Sequence, residues 1–207
     1  MPVTGKLITA AIVGNCTLRQ IKGRDIGSLA DAIGSSVATH VTTPNMVTCT
    51  LAGTAGPTGT ITSILVSGVV SKAMAASMMS KAKLPAIDLG GRDLMMFFDA
   101  VSAGISQVLL GMILTGTAAG CALGTGVGKF TALNSSALSS LMKGQEIIKK
   151  MTGRNIGSLC DCISFGIVTH LTSSATFSVI VAGAVAPVPP VGPVAVAAIP
   201  SITTKVS

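Results

Sequence analysis

The sequence predicts an α+β protein. It reads as three tandem helix-helix-strand repeats with Gly/Pro-rich turns, pseudo-threefold or stacked, followed by an extended C-terminal arm. Three observations predict it. The run Gly23-Arg24-Asp25-Ile26 returns as Gly91-Arg92-Asp93-Leu94 and as Gly153-Arg154-Asn155-Ile156, the Gly-Arg pairs standing 68 and 62 residues apart. After each pair, apolar residues recur with the 3.6-residue period of a helix. Short segments rich in Val, Thr, Ile or Phe then run into glycine-rich turns, as strands do. Repetition at this period is a mark of architecture. The units span 1–59, 60–127 and 128–185, and the arm spans 186–207.

In the first unit a helix is placed at about 7–21. The second helix follows Asp25, where an N-cap belongs and a carboxylate can accept from free amides. Its buried stripe falls at +3, +6, +10, +14 and +18 from the Gly: Ile26, Leu29, Ile33, Val37 and Val41. A strand at 46–51 enters the turn 52–57. In the second unit the first helix is placed at about 65–81. The stripe becomes Leu94, Phe97, Val101, Ile105 and Leu109, and the turn at 115–118 arrives five residues early. In the third unit the first helix is placed at about 136–151, capped by Ser135 or Ser136. Its second helix shows Ile156, Leu159, Ile163, Ile167 and Leu171, followed by a strand at 176–181 and a turn at 182–187. Pro187, Pro189, Pro190, Pro193 and Pro200 exclude a continuous helix beyond 186 and favour a docked, partly polyproline arm.

Hydrophobic residues make up 49% of the chain and charged residues 10%, against roughly 25% charged in ordinary domains. Such a surface is hidden either in lipid or against other subunits. The net charge is +7, with no basic stripe and no aromatic stacking platform, so nucleic acid is not expected as a partner. The five cysteines, Cys16, Cys49, Cys121, Cys160 and Cys162, form no disulfide framework and read as buried thiols. The basic-then-apolar start at 6–13 is too short for a signal peptide.

Arg24, Arg92 and Arg154 recur, and so do Asp31, Asp99 and Asp161, seven residues later. Two helical turns place each Arg and Asp on one side, roughly opposite the stripe. Charges on so bland a face should be paired, because an unpaired buried charge costs on the order of 3–5 kcal/mol. These six residues, with Gly23, Gly91 and Gly153, are the candidate structural and interface positions. His40 and His170 share a repeat position where the second unit has Val108; satisfied helix-end histidines fit this better than a metal site. The run 124–130 lacks the Gly at 123 and the Ser or Thr at 130 that a phosphate loop needs, and it reads as a repeat-linking loop. No catalytic residue, metal, cofactor or small-molecule substrate is expected.

The membrane alternative rests on 94–114, long enough to span a bilayer. Asp99 and Gln107 lie within it, and no Trp or Tyr supplies an interfacial belt. Assembly is therefore the preferred reading. The Gly-Arg-Asp-Ile…Leu…Asp-Ala-Ile…His run, followed by a small-residue strand and a Gly/Pro turn, resembles small tandem-repeat virion structural proteins of tailed bacteriophages over about residues 5–200. The resemblance implies a non-enzymatic particle component: tail or baseplate first, neck or capsid cement otherwise. Its partners would be copies of itself and other virion structural proteins, and its location the virion, assembled in host cytoplasm.

Overall fold

In the computed structural model the backbone is described for residues 3–43, 47–55, 61–85, 87, 89, 93–110, 113–119, 123–129, 133–151, 155–174, 176–182, 194–200 and 203–206. Side chains are described for 3–43, 68–85, 87, 89, 93–110, 133–146, 148–151 and 155–173. Over the latter the protein is all-α: seven helices, 78% helical, 2% strand and no sheet. The expected α+β class is corrected accordingly. The physical reason is side-chain bulk. The core is filled by Ile8, Ile12, Ile33, Met74, Met78, Phe98, Ile105, Leu109, Leu138 and Met142, all on helices, whereas a segment such as VTCTLAGTA at Val47–Ala55 offers little apolar volume.

The helices are α1 (Gly5–Leu18), α2 (Ile26–Thr42), α3 (Ser71–Ala82), α4 (Leu94–Leu109), α5 (Ser135–Gly144), α6 (Glu146–Lys150) and α7 (Ile156–Ser174). Each packs on the next, α1 on α2, α2 on α3, α3 on α4, α4 on α5 and α5 on α7, and α7 packs back on α1. The six longer helices therefore close into a ring, with α6 against α4 and α5.

The sequence places α1 well, α5 in part and α3 poorly. Helix α1 ends at Leu18, and Gln20 then turns left-handed at φ 56°. The run expected to open the second unit's first helix, from 65, is extended, and α3 begins only at Ser71. The run belongs to an extended segment that begins at Ile61 and holds Ile61, Ile64, Val66 and Val69, and β-branched residues of this kind suit extended backbone. The helix expected over 136–151 is two helices, broken at Gln145, whose ψ is 130°. Its cap is Asn134, and neither Ser135 nor Ser136 takes that place: the Asn134 carboxamide oxygen accepts from the Ser136 and Ala137 amides at 2.8 and 3.3 Å.

Between the helices the backbone pairs as antiparallel strands: β1 (Val47–Ala55), β2 (Ile61–Val69), β3 (Ile113–Ala119), β4 (Leu123–Lys129), β5 (Thr176–Ala182), β6 (Val194–Pro200) and β7 (Thr203–Val206). Their order is β6-β1-β2-β3-β4-β5-β7. The run 124–129, expected as a linking loop, is thus strand, with Thr125 opposite Ala119 on β3 and Ile180 on β5. In the expected arm, Val194–Pro200 pairs with β1 and Thr203–Val206 with β5. The expected unit boundary at 59/60 falls between paired β1 and β2, and that at 127 falls inside β4. The turns at 56–57 and 183–187 lie outside the described residues.

The long helices α2, α4 and α7 all start three residues after the Gly of a Gly-Arg pair. Their +10, +14 and +18 residues are buried in every case, from Ile33, Val37 and Val41 to Ile163, Ile167 and Leu171. Burial is wider than one stripe, however. Ala30, Phe98 and Cys160 at +7 and Ala32, Ala100 and Cys162 at +9 are also buried. A helix in a closed ring has a neighbour on each side, so small residues beside the stripe are covered too.

Candidate functional site

The best-defined polar cluster lies where α7 meets both its neighbours. Asp161 Oδ2 accepts from Arg19 Nη1 of α1 at 3.0 Å, and Oδ1 accepts from Lys143 Nζ of α5 at 2.6 Å. Ser139 Oγ of α5 also donates to Oδ1. Arg19 is held in turn by Asn15, whose Oδ1 accepts from its Nε at 3.0 Å. Burial works against the carboxylate charge, but the hydrogen bonds from Lys143 and Ser139, with the charges of Lys143 and Arg19, outweigh it. The Asp161 carboxyl titrates below its ordinary value. One carboxylate thus fastens three helices.

Beneath this cluster the seam between α7 and α1 is close-packed. A Cβ built on Gly166 would lie 2.5 Å from Ile12 Cγ1 and 2.8 Å from the Ile12 nitrogen. Cys16 and Cys162 are free and buried, and each thiol lies near enough to the other to affect its titration. Burial, then the neighbouring Cys16 thiol, push Cys162 up to about 12; burial likewise raises Cys160 to about 11. At the far end of the seam the Thr4 amide donates to His170 Nε2 at 3.2 Å.

The other two junctions use the same repeat positions differently. Ser36 and Gly104 occupy the place of Gly166. Ser77 Oγ of α3 donates to Ser36 Oγ at 3.2 Å, and a Cβ on Gly104 would meet Met142 Cγ of α5 at 2.6 Å. Among the described residues Asp31 receives long contacts, from Ser35 Oγ at 3.4 Å and Thr9 Oγ1 at 3.5 Å. Thr9 is better placed on Gly5 O at 2.9 Å. Asp99 borders an open cleft of about 400 Å³ with Ser71, Lys72 and Met95.

Among the described residues, two of the six recurring charges stand in ion pairs. Arg24 pairs with the adjacent Asp25 at 3.1 Å, both exposed, and Asp161 pairs with Arg19 and Lys143. Gly23 abuts Ile26, whose side chain lies 3.2 Å from a built Cβ. Arg92, Arg154, Gly91 and Gly153 lie outside the described residues. Asp25 and Asp93 occupy N-cap positions, but neither makes a side-chain cap hydrogen bond. Their main-chain oxygens accept instead, from Leu29 and Phe97 at 2.9 Å. His170 is satisfied, whereas His40 Nε2 is buried with no hydrogen-bond partner among the described residues.

Sequence reasoning missed Arg19, Ser139 and Lys143. One signal for Ser139 was present: it precedes Asp161 by 22 residues, as Thr9 precedes Asp31, and Ser77 stands at the same spacing before Asp99. Among the described residues, no three His, Cys, Asp or Glu side chains are grouped to hold a metal. Chemically, the arrangement joins helices through hydrogen bonds and ion pairs to one carboxylate.

Comparisons with models of known families, with curated proteins and with solved structures gave no match.

Proposed function

We propose that this protein is a non-enzymatic structural component of a multi-subunit assembly, acting by subunit packing. The observation that carries this reading is the outer face of the helix ring. Leu7 and Leu18 of α1, Met95 and Met96 of α4 and Phe165 of α7 are exposed, Leu18 by 82%. Removing apolar surface from water contributes about 25 cal/mol per Å², and obligate interfaces resemble a core cut in half. The residues matching Met95 and Met96 in α2 are Gly27 and Ser28, and the residue matching Phe165 is Ser35. The ring therefore offers unlike faces, as a part with several neighbours needs.

The setting we propose is a tailed-bacteriophage particle, in the tail or baseplate first and the neck or capsid cement otherwise. Other copies of the chain and other virion proteins would be its partners, and the particle would assemble in the host cytoplasm. The repeat's resemblance to virion proteins supports this setting.

A membrane reading has one observation in its favour. Ile156–Ser173 is long and apolar enough to cross a bilayer, but half of it is buried inside the ring. Insertion would strip α7 from α1 and α5 and take Asp161 into lipid. The segment first considered, 94–114, is not one helix: α4 stops at Leu109 after 16 residues, and β3 begins at Ile113.

Light scattering after size exclusion without detergent tests the proposal. A defined oligomer is expected, and Met96→Lys with Phe165→Lys should dissociate it while leaving the circular dichroism unchanged. A monomer at every concentration would overturn the assembly reading. Recovery only in detergent would transfer the weight to α7 as a membrane helix.

A further inference from the structure

Five of the six ring contacts join helices that follow one another along the chain. The sixth, α7 on α1, joins the last helix to the first, with no direct chain connection between them. Along this seam the partners step in antiparallel register. Gly166 lies on Ile12; four residues along each helix, Cys162 meets Cys16; Asp161 then meets Arg19. The two thiols are free and buried, and they are bracketed by a backbone contact on one side and an ion pair on the other. A disulfide requires Cα atoms about 4.4–6.8 Å apart, and the close approach of the two helices at Gly166, one turn away, favours such a separation.

We propose that Cys16 and Cys162 are a disulfide-forming pair that closes the helix ring covalently, with a small-molecule disulfide as oxidant. The pairing is specific to this seam. Ala32 and Ala100 occupy the place of Cys162 in the other long helices, where the chain itself links the units. The third described thiol, Cys160, has Lys143 and Asp161 for electrostatic neighbours, on the α5 side.

The reaction is two successive thiol–disulfide exchanges. A Cys16 thiolate attacks the oxidant R–S–S–R, forming a mixed disulfide and releasing one RS⁻. A Cys162 thiolate then attacks the Cys16 sulfur and releases the second. Two protein thiols and one R–S–S–R thus become one cystine and two RSH, the protein being oxidised by two electrons and the small disulfide reduced. Thiolates are the attacking species, and burial keeps Cys162 protonated while the ring is shut. Oxidation therefore proceeds when the seam opens, or during folding before α7 docks on α1.

The test uses the full chain in glutathione disulfide buffer, both as the folded protein and during refolding from urea. Free thiols are alkylated under denaturing conditions, and the peptides are mapped without reduction. The expected result is the Cys16 peptide joined to the Cys162 peptide, two hydrogens lighter than the pair of free thiols. The oxidised chain should run faster on a non-reducing gel and melt roughly 5–15 °C higher, and reduction should reverse both. Cys162→Ser should abolish the link and Cys160→Ser should keep it. If Cys162→Ser does not fold, the wild-type peptide map decides alone. Recovery of both thiols alkylated from both arms, or cross-links scattered over Cys49, Cys121 and Cys160, would overturn the proposal.

Discussion

Gly166 of α7 rests against Ile12 of α1 so closely that a Cβ on the glycine would fall 2.8 Å from the Ile12 nitrogen. Backbone cannot swing aside as the end of a long side chain can. Gly166→Ala should therefore force the two helices apart, and overpacking of this kind costs about 1–3 kcal/mol. Gly14 in the same seam helix has nothing within 4 Å of a built Cβ. Gly14→Ala should instead stabilise by about 0.5–1 kcal/mol, through helix propensity. Urea midpoints of the two variants should move in opposite directions; a shift of the same sign would refute the close seam.

Asp161 is the charged centre of the same seam, and its stability contribution has a definite pH window. The folded carboxyl titrates below the ordinary 3.8. Its contribution is therefore fully present above that value and is lost as pH falls through the lower folded value. Arg19 and Lys143 are 46% and 40% exposed, so solvent screens both pairs and the effect is modest. Asp161→Asn should cost about 1 kcal/mol at neutral pH. The gap to wild type should close as pH falls below 3.8 and through the folded value, where both carry an uncharged group. A gap that persists in acid would assign the loss to packing and not to charge.

These two residues show what was and was not legible beforehand. Ile33, Val37 and Val41 and their counterparts were legible, because a 3.6-residue apolar period needs only local order. Gly166 was not: a glycine inside a helical pattern reads as a weak point, and only the neighbouring helix reveals why it is there. The Arg19–Asp161 pair joins residues 142 apart in sequence, and Arg19 stands outside the repeated Gly-Arg pairs, so no repeat position signals it. The strand-like runs are legible as extended backbone in part, at Val47–Ala55 and Thr176–Ala182, yet the expected helix from 65 overlaps the end of β2. There, an apolar run of nine residues suits either period, and the β-branched side chains decide. The all-α core followed from bulk, which pattern alone does not weigh.

His40 and His170 occupy one repeat position and should respond differently to mutation. His170 Nε2 accepts the Thr4 amide, so His170→Leu leaves that donor without its acceptor and should cost about 1 kcal/mol. His40 Nε2 is buried without a partner among the described residues. His40→Leu should be neutral or slightly stabilising near pH 8, by up to about 1 kcal/mol. Burial holds the folded His40 below its ordinary 6.5. The unfolded chain therefore takes up the proton first as pH falls, and stability, complete above 6.5, declines on the way down to the folded value. Melting temperatures from about pH 8 to pH 5 should fall less steeply for His40→Leu than for wild type. Equal slopes would mean that His40 is protonated at no cost in the folded ring.

Asn134 caps α5 with its own side chain, at a junction where the long helix presents Val108 instead of histidine. The Thr4 end of α1, by contrast, has no side-chain cap and meets His170. The two ends thus satisfy their first amides by different routes, one from within the helix and one from the neighbour. Asn134→Ala should remove two hydrogen bonds, at 2.8 and 3.3 Å, and destabilise by about 1 kcal/mol. Asp25→Ala and Asp93→Ala should change stability far less by loss of a cap, because their main-chain oxygens make the first-turn bonds that alanine also makes. Combining Asn134→Ala with Val108→His tests the exchange directly. If a histidine from the long helix can cap its neighbour, the double variant recovers part of the lost melting temperature. If it recovers none, the His170–Thr4 contact is a consequence of the seam's packing and does not cap α1.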